Sequence, residues 1–221
     1  MNLNIINELL KNGIIKFNFK KPFTFKSGLR SPIYCNLRET SSYPFLMKWI
    51  NKEFMEMIPK DFSIDGVMGV STGATQYSTV LGMELDVPFG YVRPGAKIKD
   101  YGMKNLIEGI VDVKDKHIIL IEDLISTGGS VLGDASIIRQ AGSEEIFIMS
   151  IFSYNMEKAK ENFANAGFEY RTIIDFHELV HAAHTSGRIL NKHKDLLFGW
   201  SQSPETWFER NKEKFESEEI E

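Results

Sequence analysis

The sequence predicts an α/β protein whose parallel sheet is wrapped by helices on both faces, and two observations predict it. From Ser63 onward, short apolar runs alternate with longer segments of helical spacing, the pattern of strand and crossover helix. The clearest run, His117 to Ile121, is continuously aliphatic rather than alternating, as a strand covered on both faces requires.

The elements follow in order. Ile5, Ile6, Leu9 and Leu10 are spaced as one face of a helix over Asn4 to Lys11, with Gly13 as its stop. Two extended pieces come next, around "PFTFKSG" and "RSPIYCNLR". Pro44 opens a second helix that Phe45, Leu46, Trp49, Ile50, Phe54 and Met57 are expected to pack down and Pro59 to end. Then come strand "IDGVMGV", loop "STGAT", a helix to about Glu84, strand "VPFGYV" and a long polar loop to Gly109. Strand "HIILI" leads through "EDLISTGGS" into a helix carrying Val131, Leu132, Ala135 and Ile138, which Ala141-Gly142 stops. Strand "EIFIMSIF", helix "NMEKAKENFANAG", strand "YRTIID" and further helices complete the chain. A single domain over residues 1–221 is expected: 1–60 an N-terminal helix and extended segment, 61–175 the sheet core with loop 93–109, 176–214 closing helices, and 215–221 an acidic tail.

Composition excludes several classes. With 26 Lys and Arg against 30 Asp and Glu, the net charge of −4 implies no broad basic surface for nucleic acid. A single cysteine, Cys35, excludes an intramolecular disulfide, fits a reducing compartment and reads as a small buried hydrophobe. No apolar stretch approaches the roughly 20 residues of a membrane span, and "MNLNIINELLKNG" lacks the marks of a signal peptide, so a cytoplasmic protein is expected.

Parallel sheets bind ligands beyond their C-terminal strand ends, which makes "VSTGAT", "RPGAKIKDYGMKN" and "EDLISTGGS" neighbours. Thr127, Gly128 and Gly129 expose successive backbone N–H groups before a helix whose dipole adds positive charge, so a phosphate is the natural occupant. Ser126, Thr127 and Ser130 supply hydroxyls. The loop is neither a Walker A nor a dinucleotide fingerprint. Glu122 and Asp123 would repel phosphate unless they face a metal or hydrogen-bond donors such as a ribose diol, so a ribose 5-phosphate unit suits the stretch. An ordinary capped turn is the competing reading, and two acids with three hydroxyls argue against it.

"LIEDLISTGGS" closely resembles the diphosphoribosyl-binding signature of the type I phosphoribosyltransferases, and the likeness extends over nearly the whole chain. "FTFKSGLRSPIYCNLR" looks like the N-terminal hood of the orotate phosphoribosyltransferases, "YVRPGAKIKDYGMKNLIEG" like their mobile catalytic loop and "LLFGWSQSPETWFE" like their closing helices. The resemblance implies the type I phosphoribosyltransferase fold with a small hood, and transfer of the phosphoribosyl group from phosphoribosyl diphosphate to orotate. It assigns the cosubstrate to Glu122, Asp123, Leu124, Ile125, Ser126, Thr127, Gly128, Gly129 and Ser130; the turn of Ser71, Thr72 and Gly73 reads as a second anion site, with the amides of Thr72, Gly73 and Ala74 aimed at the diphosphate. For orotate it implies Lys26, Tyr34 and Ser126, with Arg30 a further cation in the same segment. Arg93 and Lys99 match the loop's cations and Tyr101 stands where the family usually has histidine; the loop is about two residues longer, so Lys97 could take the place of Lys99. Also implied are Mg²⁺ carried by the cosubstrate, with no metal held by protein side chains, and a homodimer with shared active sites. One departure concerns the base: where many members carry an arginine after the next strand, this chain reads "IFSYNMEKA".

Three rivals remain. "HELVH", His177 to His181, spells a zinc-protease motif, but Asp175 reads as an N-cap and Glu178 as its capping-box partner, and Gly187 stands where a metzincin's third histidine would be. A non-catalytic phosphoribosyl-diphosphate-binding regulator and a transferase for another base are the others.

Overall fold

The computed structural model describes residues 2–25, 28–93, 106–110 and 112–216. In chain order these form α1 (Leu3–Lys11), β1 (Ile15–Phe17), β2 (Phe23–Thr24), β3 (Arg30–Ser31), β4 (Ile33–Cys35), a 3-10 helix (Leu37–Ser42), α2 (Pro44–Met57), β5 (Gly66–Gly69), α3 (Thr75–Glu84), β6 (Phe89–Val92) and β7 (Ile107–Glu108). After them come β8 (His117–Ile125), α4 (Gly129–Gln140), β9 (Glu145–Ser153), α5 (Glu157–Ala166), β10 (Tyr170–Asp175), α6 (Phe176–Thr185), α7 (Asn191–Gln202) and α8 (Pro204–Glu216).

The central sheet has six strands in the order β10-β9-β8-β5-β6-β7, parallel except for β7. Strand alternation divides its contacts. Val67, Ile119 and Ile121 face a core shared with α1, α2, α3, α6 and α7, whereas Met68, Ile118 and Leu120 face Val131, Ala135 and Ile138 of α4 and Phe163 of α5. Aliphatic runs on β5 and β8 are thus apolar throughout because both faces are covered. Two small antiparallel pairs, β1 with β4 and β2 with β3, form the N-terminal hood.

The structure differs from the sequence reading in three places. Extended chain ends at Cys35, and Leu37 to Ser42 wind into the 3-10 helix, with Thr40 Oγ1 donating to the Leu37 carbonyl at 2.6 Å. On α2 the buried stripe is Leu46, Ile50 and Phe54 at i, i+4 spacing; Phe45 and Trp49 lie on the adjoining flank and stay about 40% exposed, at 42% and 41%. Finally, β8 continues to Ile125, since Glu122, Leu124 and Ile125 pair in register with Ser150, Phe152 and Ser153 of β9.

The last helices close over the hood. Trp200 and Trp207 are buried, and their indole N–H groups donate to the carbonyls of Arg30 (3.0 Å) and Leu196 (2.8 Å). Among the described residues no helix is long and apolar enough to cross a membrane.

At the start of α6, Glu178 N–H donates to Asp175 Oδ1 at 2.9 Å and Asp175 N–H donates to Glu178 Oε2 at 3.2 Å, a reciprocal capping box. The carboxylate of the "HELVH" spelling is therefore engaged in starting a helix, and His177 stacks on Phe198 with ring centroids 5.2 Å apart. Asp175→Ala should cost about 1 kcal/mol of stability. Urea unfolding checks this, and an unchanged midpoint with an unchanged slope would contradict the cap.

Candidate functional site

After β5 the chain crosses through α3 to β6 on one side, and β8 then enters on the other, so the strand order reverses between β5 and β8. A crevice opens at such a switch point, beyond the strand ends. The loops that flank it are Val70–Ala74 and Ser126–Gly128. Val70 N–H donates to the Ile121 carbonyl at 2.9 Å, and Ala74 N–H returns to the Val70 carbonyl at 3.0 Å, folding Ser71, Thr72 and Gly73 into a tight turn containing a cis Ser71-Thr72 peptide. Gly73 lies directly against the Asp123 carboxylate, where a Cβ would overlap Oδ2.

The second loop needs glycine for two reasons. Gly128 has φ +80, and a Cβ there would come within 2.5 Å of the Phe163 ring. Asn162 Nδ2 secures the turn by donating to the Thr127 carbonyl at 2.9 Å. Ser126 is half-buried, whereas Thr127, Gly129 and Ser130 are exposed. Neither α3, whose N-cap is Ala74, nor α4, whose N-cap is Gly128, has a side-chain cap. Two helix N-termini thus present their first amides at the crevice, each a seat for an anion.

Alternation along β8 separates the two acids. Asp123 turns toward the hood; its side chain is 17% exposed and its Oδ2 lies 3.9 Å from Arg38 Nε. Glu122 turns toward α4 and is buried, with Oε1 accepting the Asp123 N–H at 3.0 Å. Burial first, then the Asp123 charge, raises the Glu122 carboxyl to about 9. Asp134, on the inward side of α4, is raised to about 7 by burial and adds to the repulsion felt by Glu122. Asp123 is consequently the acid open to a ligand, and Glu122 is held in its protonated form near neutral pH. Leu124 and Ile125 pack within the sheet, in register with β9.

The hood covers the same end of the sheet. Tyr34 is exposed, with its ring 5.5 Å from Phe23 and 6.4 Å from Phe25. Cys35 alternates inward, where burial pushes its thiol up to about 12 and the Tyr154 hydroxyl hydrogen-bonds to it, an inert setting. The Arg30 guanidinium lies 4.2 Å above the Phe208 ring, against α8. Arg93, at the end of β6, pairs with Glu108 on β7 and its N–H donates to the Leu106 carbonyl at 2.8 Å. Lys26, Lys97, Lys99 and Tyr101 lie outside the described residues.

The structure thus brings together Ser71, Thr72, Gly73, Asp123 and the loop Ser126–Ser130, with Glu122 behind them. Sequence reasoning missed Asp134 and Arg38. Asp134 had a signal, because it follows Val131 by three residues on the inward stripe of α4. Arg38 had none, since its segment read as extended chain.

A family model for the phosphoribosyl transferase domain matches residues 43–182. The chain is 36% identical over 207 residues to the orotate phosphoribosyltransferase of Streptococcus pneumoniae serotype 4, covering 93% of this chain and 97% of that protein. It is 39% identical over 204 residues to the orotate phosphoribosyltransferase of Oceanobacillus iheyensis, covering 92% and 100%. Among solved structures, Leishmania donovani UMP synthase superposes with a TM-score of 0.76 at 24% identity, covering 90% of this chain and 42% of that one.

A carboxyl that holds its proton more tightly when folded contributes stability that is complete below its unfolded pKa and is lost as pH rises through the folded value. For Glu122 and Asp134 that window runs from about pH 4 to about 9 and 7 respectively. The ligand-free protein should therefore melt at progressively lower temperature as pH is raised across this range, and Glu122→Gln should flatten the decline. Calorimetry at several pH values decides it, and parallel curves for the two proteins would refute the assignment.

Proposed function

Because the chain belongs to the phosphoribosyltransferase family, as one of its orotate phosphoribosyltransferases, we propose a division of labour among its residues for moving the 5-phosphoribosyl group of phosphoribosyl diphosphate to orotate. The bond from ribosyl C1 to diphosphate breaks, a bond from C1 to a ring nitrogen of orotate forms, and the products are orotidine 5′-monophosphate and diphosphate. An oxocarbenium-like transition state calls for charge stabilisation and exclusion of water. What supports this reading above all is the pair of uncapped helix N-termini flanking the Asp123 carboxylate.

The 5-phosphate is assigned to the amides and hydroxyls of Ser126 to Ser130, and the diphosphate to the amides of Ser71, Thr72 and Gly73. Asp123 accepts hydrogen bonds from the ribose diol. Glu122, protonated and fixed against the Asp123 N–H, orients that strand end. Tyr34 offers an exposed ring for stacking on the pyrimidine, with Lys26 and Ser126 as its polar contacts. Arg93, Lys97, Lys99 and Tyr101 are the candidates to meet the departing diphosphate. Arg93 is paired with Glu108, so its guanidinium must exchange partners to reach an anion.

Mg²⁺ is proposed to arrive on the diphosphate, because it retains waters and prefers substrate phosphates to an all-protein cage. A partly exposed Asp123 carboxylate fits the water shell of a hydrated ion of that kind. When bound, the ion would neutralise charge on the leaving group. A homodimer with shared active sites is part of the same proposal.

Purified protein given phosphoribosyl diphosphate and Mg²⁺ should deplete the ultraviolet absorbance of orotate, and EDTA should stop it. Turnover of another base with none of orotate would select the alternative transferase. Asp123→Asn should raise the KM for phosphoribosyl diphosphate or lower kcat/KM by about 10- to 150-fold, the worth of a charge-assisted hydrogen bond of roughly 1.5–3 kcal/mol; unchanged constants would remove Asp123 from the site. Lys99→Ala should depress kcat more than cosubstrate affinity, and the opposite ranking of Lys99→Ala and Lys97→Ala would shift the loop's register.

A further inference from the structure

Orotate differs from uracil by a carboxylate, and a buried carboxylate requires a cation or several donors. The strand that follows the main signature ends without one. Tyr154 and Met156, in the turn after β9, are buried, while Lys158 and Lys160 are committed on the surface to Glu161 at 3.3 Å and Glu157 at 3.0 Å. Arg30 is stacked on Phe208 of α8, with its carbonyl held by Trp200.

Arg38 is placed otherwise. Its side chain is 64% exposed, yet its Nε reaches to 3.9 Å from Asp123 Oδ2 inside the crevice. The backbone beneath it is fixed. Leu37 is buried, its carbonyl accepts from Thr40 Oγ1, the Thr40 hydroxyl also meets the Tyr77 hydroxyl, and Asn36 N–H donates to the Ile14 carbonyl at 2.9 Å. Tyr77 is itself buried in α3, at the edge of Phe54. Arg38 is therefore a guanidinium on a rigid mount with a free-swinging end.

Resting on the functional reading above, we propose that Arg38 is a substrate-specificity residue that binds the orotate carboxylate. The chemistry of the product sets the distance. The carboxylate of orotidine 5′-monophosphate is borne by the carbon next to the glycosidic nitrogen, and that nitrogen is bonded to C1, whose neighbour carries the first diol hydroxyl. A cation beside the acid that accepts the diol is thus within a side-chain rotation of the base carboxylate. Before substrates bind, Asp123 holds the guanidinium; when the diol takes over the Asp123 oxygens, the guanidinium is released to a new anion, for which its planar fork is suited.

The test compares equilibrium binding of orotidine 5′-monophosphate with that of uridine 5′-monophosphate, the same nucleotide without the carboxylate, to wild-type protein, Arg38→Ala and Arg38→Lys by calorimetry. Arg38→Ala should weaken the orotidine nucleotide by about 10- to 100-fold and the uridine nucleotide by less than about threefold, with Arg38→Lys between. In steady state the same variant should raise the KM for orotate more than that for phosphoribosyl diphosphate. Equal weakening of both nucleotides would assign Arg38 to the ribose or to Asp123, and no weakening of either would remove it from the site; each overturns the proposal. Wild-type turnover of orotate separates the two levels: if it is present and Arg38→Ala binds normally, only the arginine's role fails, whereas its absence takes the functional reading down as well.

Discussion

Everything at this site depends on the adjacency of β5 and β8. These strands run parallel, with Gly66 to Gly69 opposite Ile118 to Ile121, yet the chain leaves them toward opposite edges of the sheet. Their following helices must diverge, so two helix N-termini open onto one crevice. A substrate carrying phosphate at one end and diphosphate at the other needs two such positive ends at a fixed separation. The sheet supplies that separation through its hydrogen-bond register, without any side chain having to hold it. This also explains the glycines: with strands at ladder spacing, the β5 loop can lie against Asp123 only if residue 73 has no Cβ.

Electrostatics divides along the same strand. Adjacent residues on β8 point to opposite faces, so one acid is drawn into the α4 layer and the other into the crevice. Buried beside Asp134, Glu122 cannot keep a charge at the cost of water, and it retains its proton and closes on the Asp123 backbone. Asp123, with Arg38 near it, is the more exposed, crevice-facing member of the pair. The double acid in the sequence thus meets two environments across a pleat, with the carboxyls still close enough to act on one another.

The signature was legible in the sequence because its chemistry is local. Thr127, Gly128 and Gly129 read as a phosphate loop from backbone alone, and the helix that follows runs from Gly129 to Gln140 before the stop at Ala141. The parallel core was legible for the same reason, since burial on both faces leaves an unbroken aliphatic run. The 3-10 helix at Leu37 was not, because what winds it is the long-range meeting of Thr40 with Tyr77, 37 residues away. Arg38 sits on that helix, with its Nε 3.9 Å from Asp123 Oδ2. The separation of Glu122 from Asp123 was hidden by one misplaced boundary: ending the strand at Ile121 left both acids just past its end, where no pleat would part them.

The hood strands are two or three residues long, too short to stand alone, so the hood is built on borrowed stability. The loans come from three directions. Trp200 of α7 holds the Arg30 carbonyl, Tyr154 after β9 holds the Cys35 thiol, and Tyr77 of α3 holds Thr40. Each partner lies in the large core cluster, where Trp200 also packs 5.0 Å from Tyr154. The hood surface proposed to meet the base is therefore continuous with the core that joins the closing helices to the sheet. On the proposed assignment, phosphate recognition rests on backbone geometry that any stable sheet of this order would provide, and recognition of the base rests on side-chain packing across three layers. Substitutions far from the crevice, among the aromatic residues of α7 and the β9 end, would consequently disturb the choice of base before they disturb the binding of phosphoribosyl diphosphate.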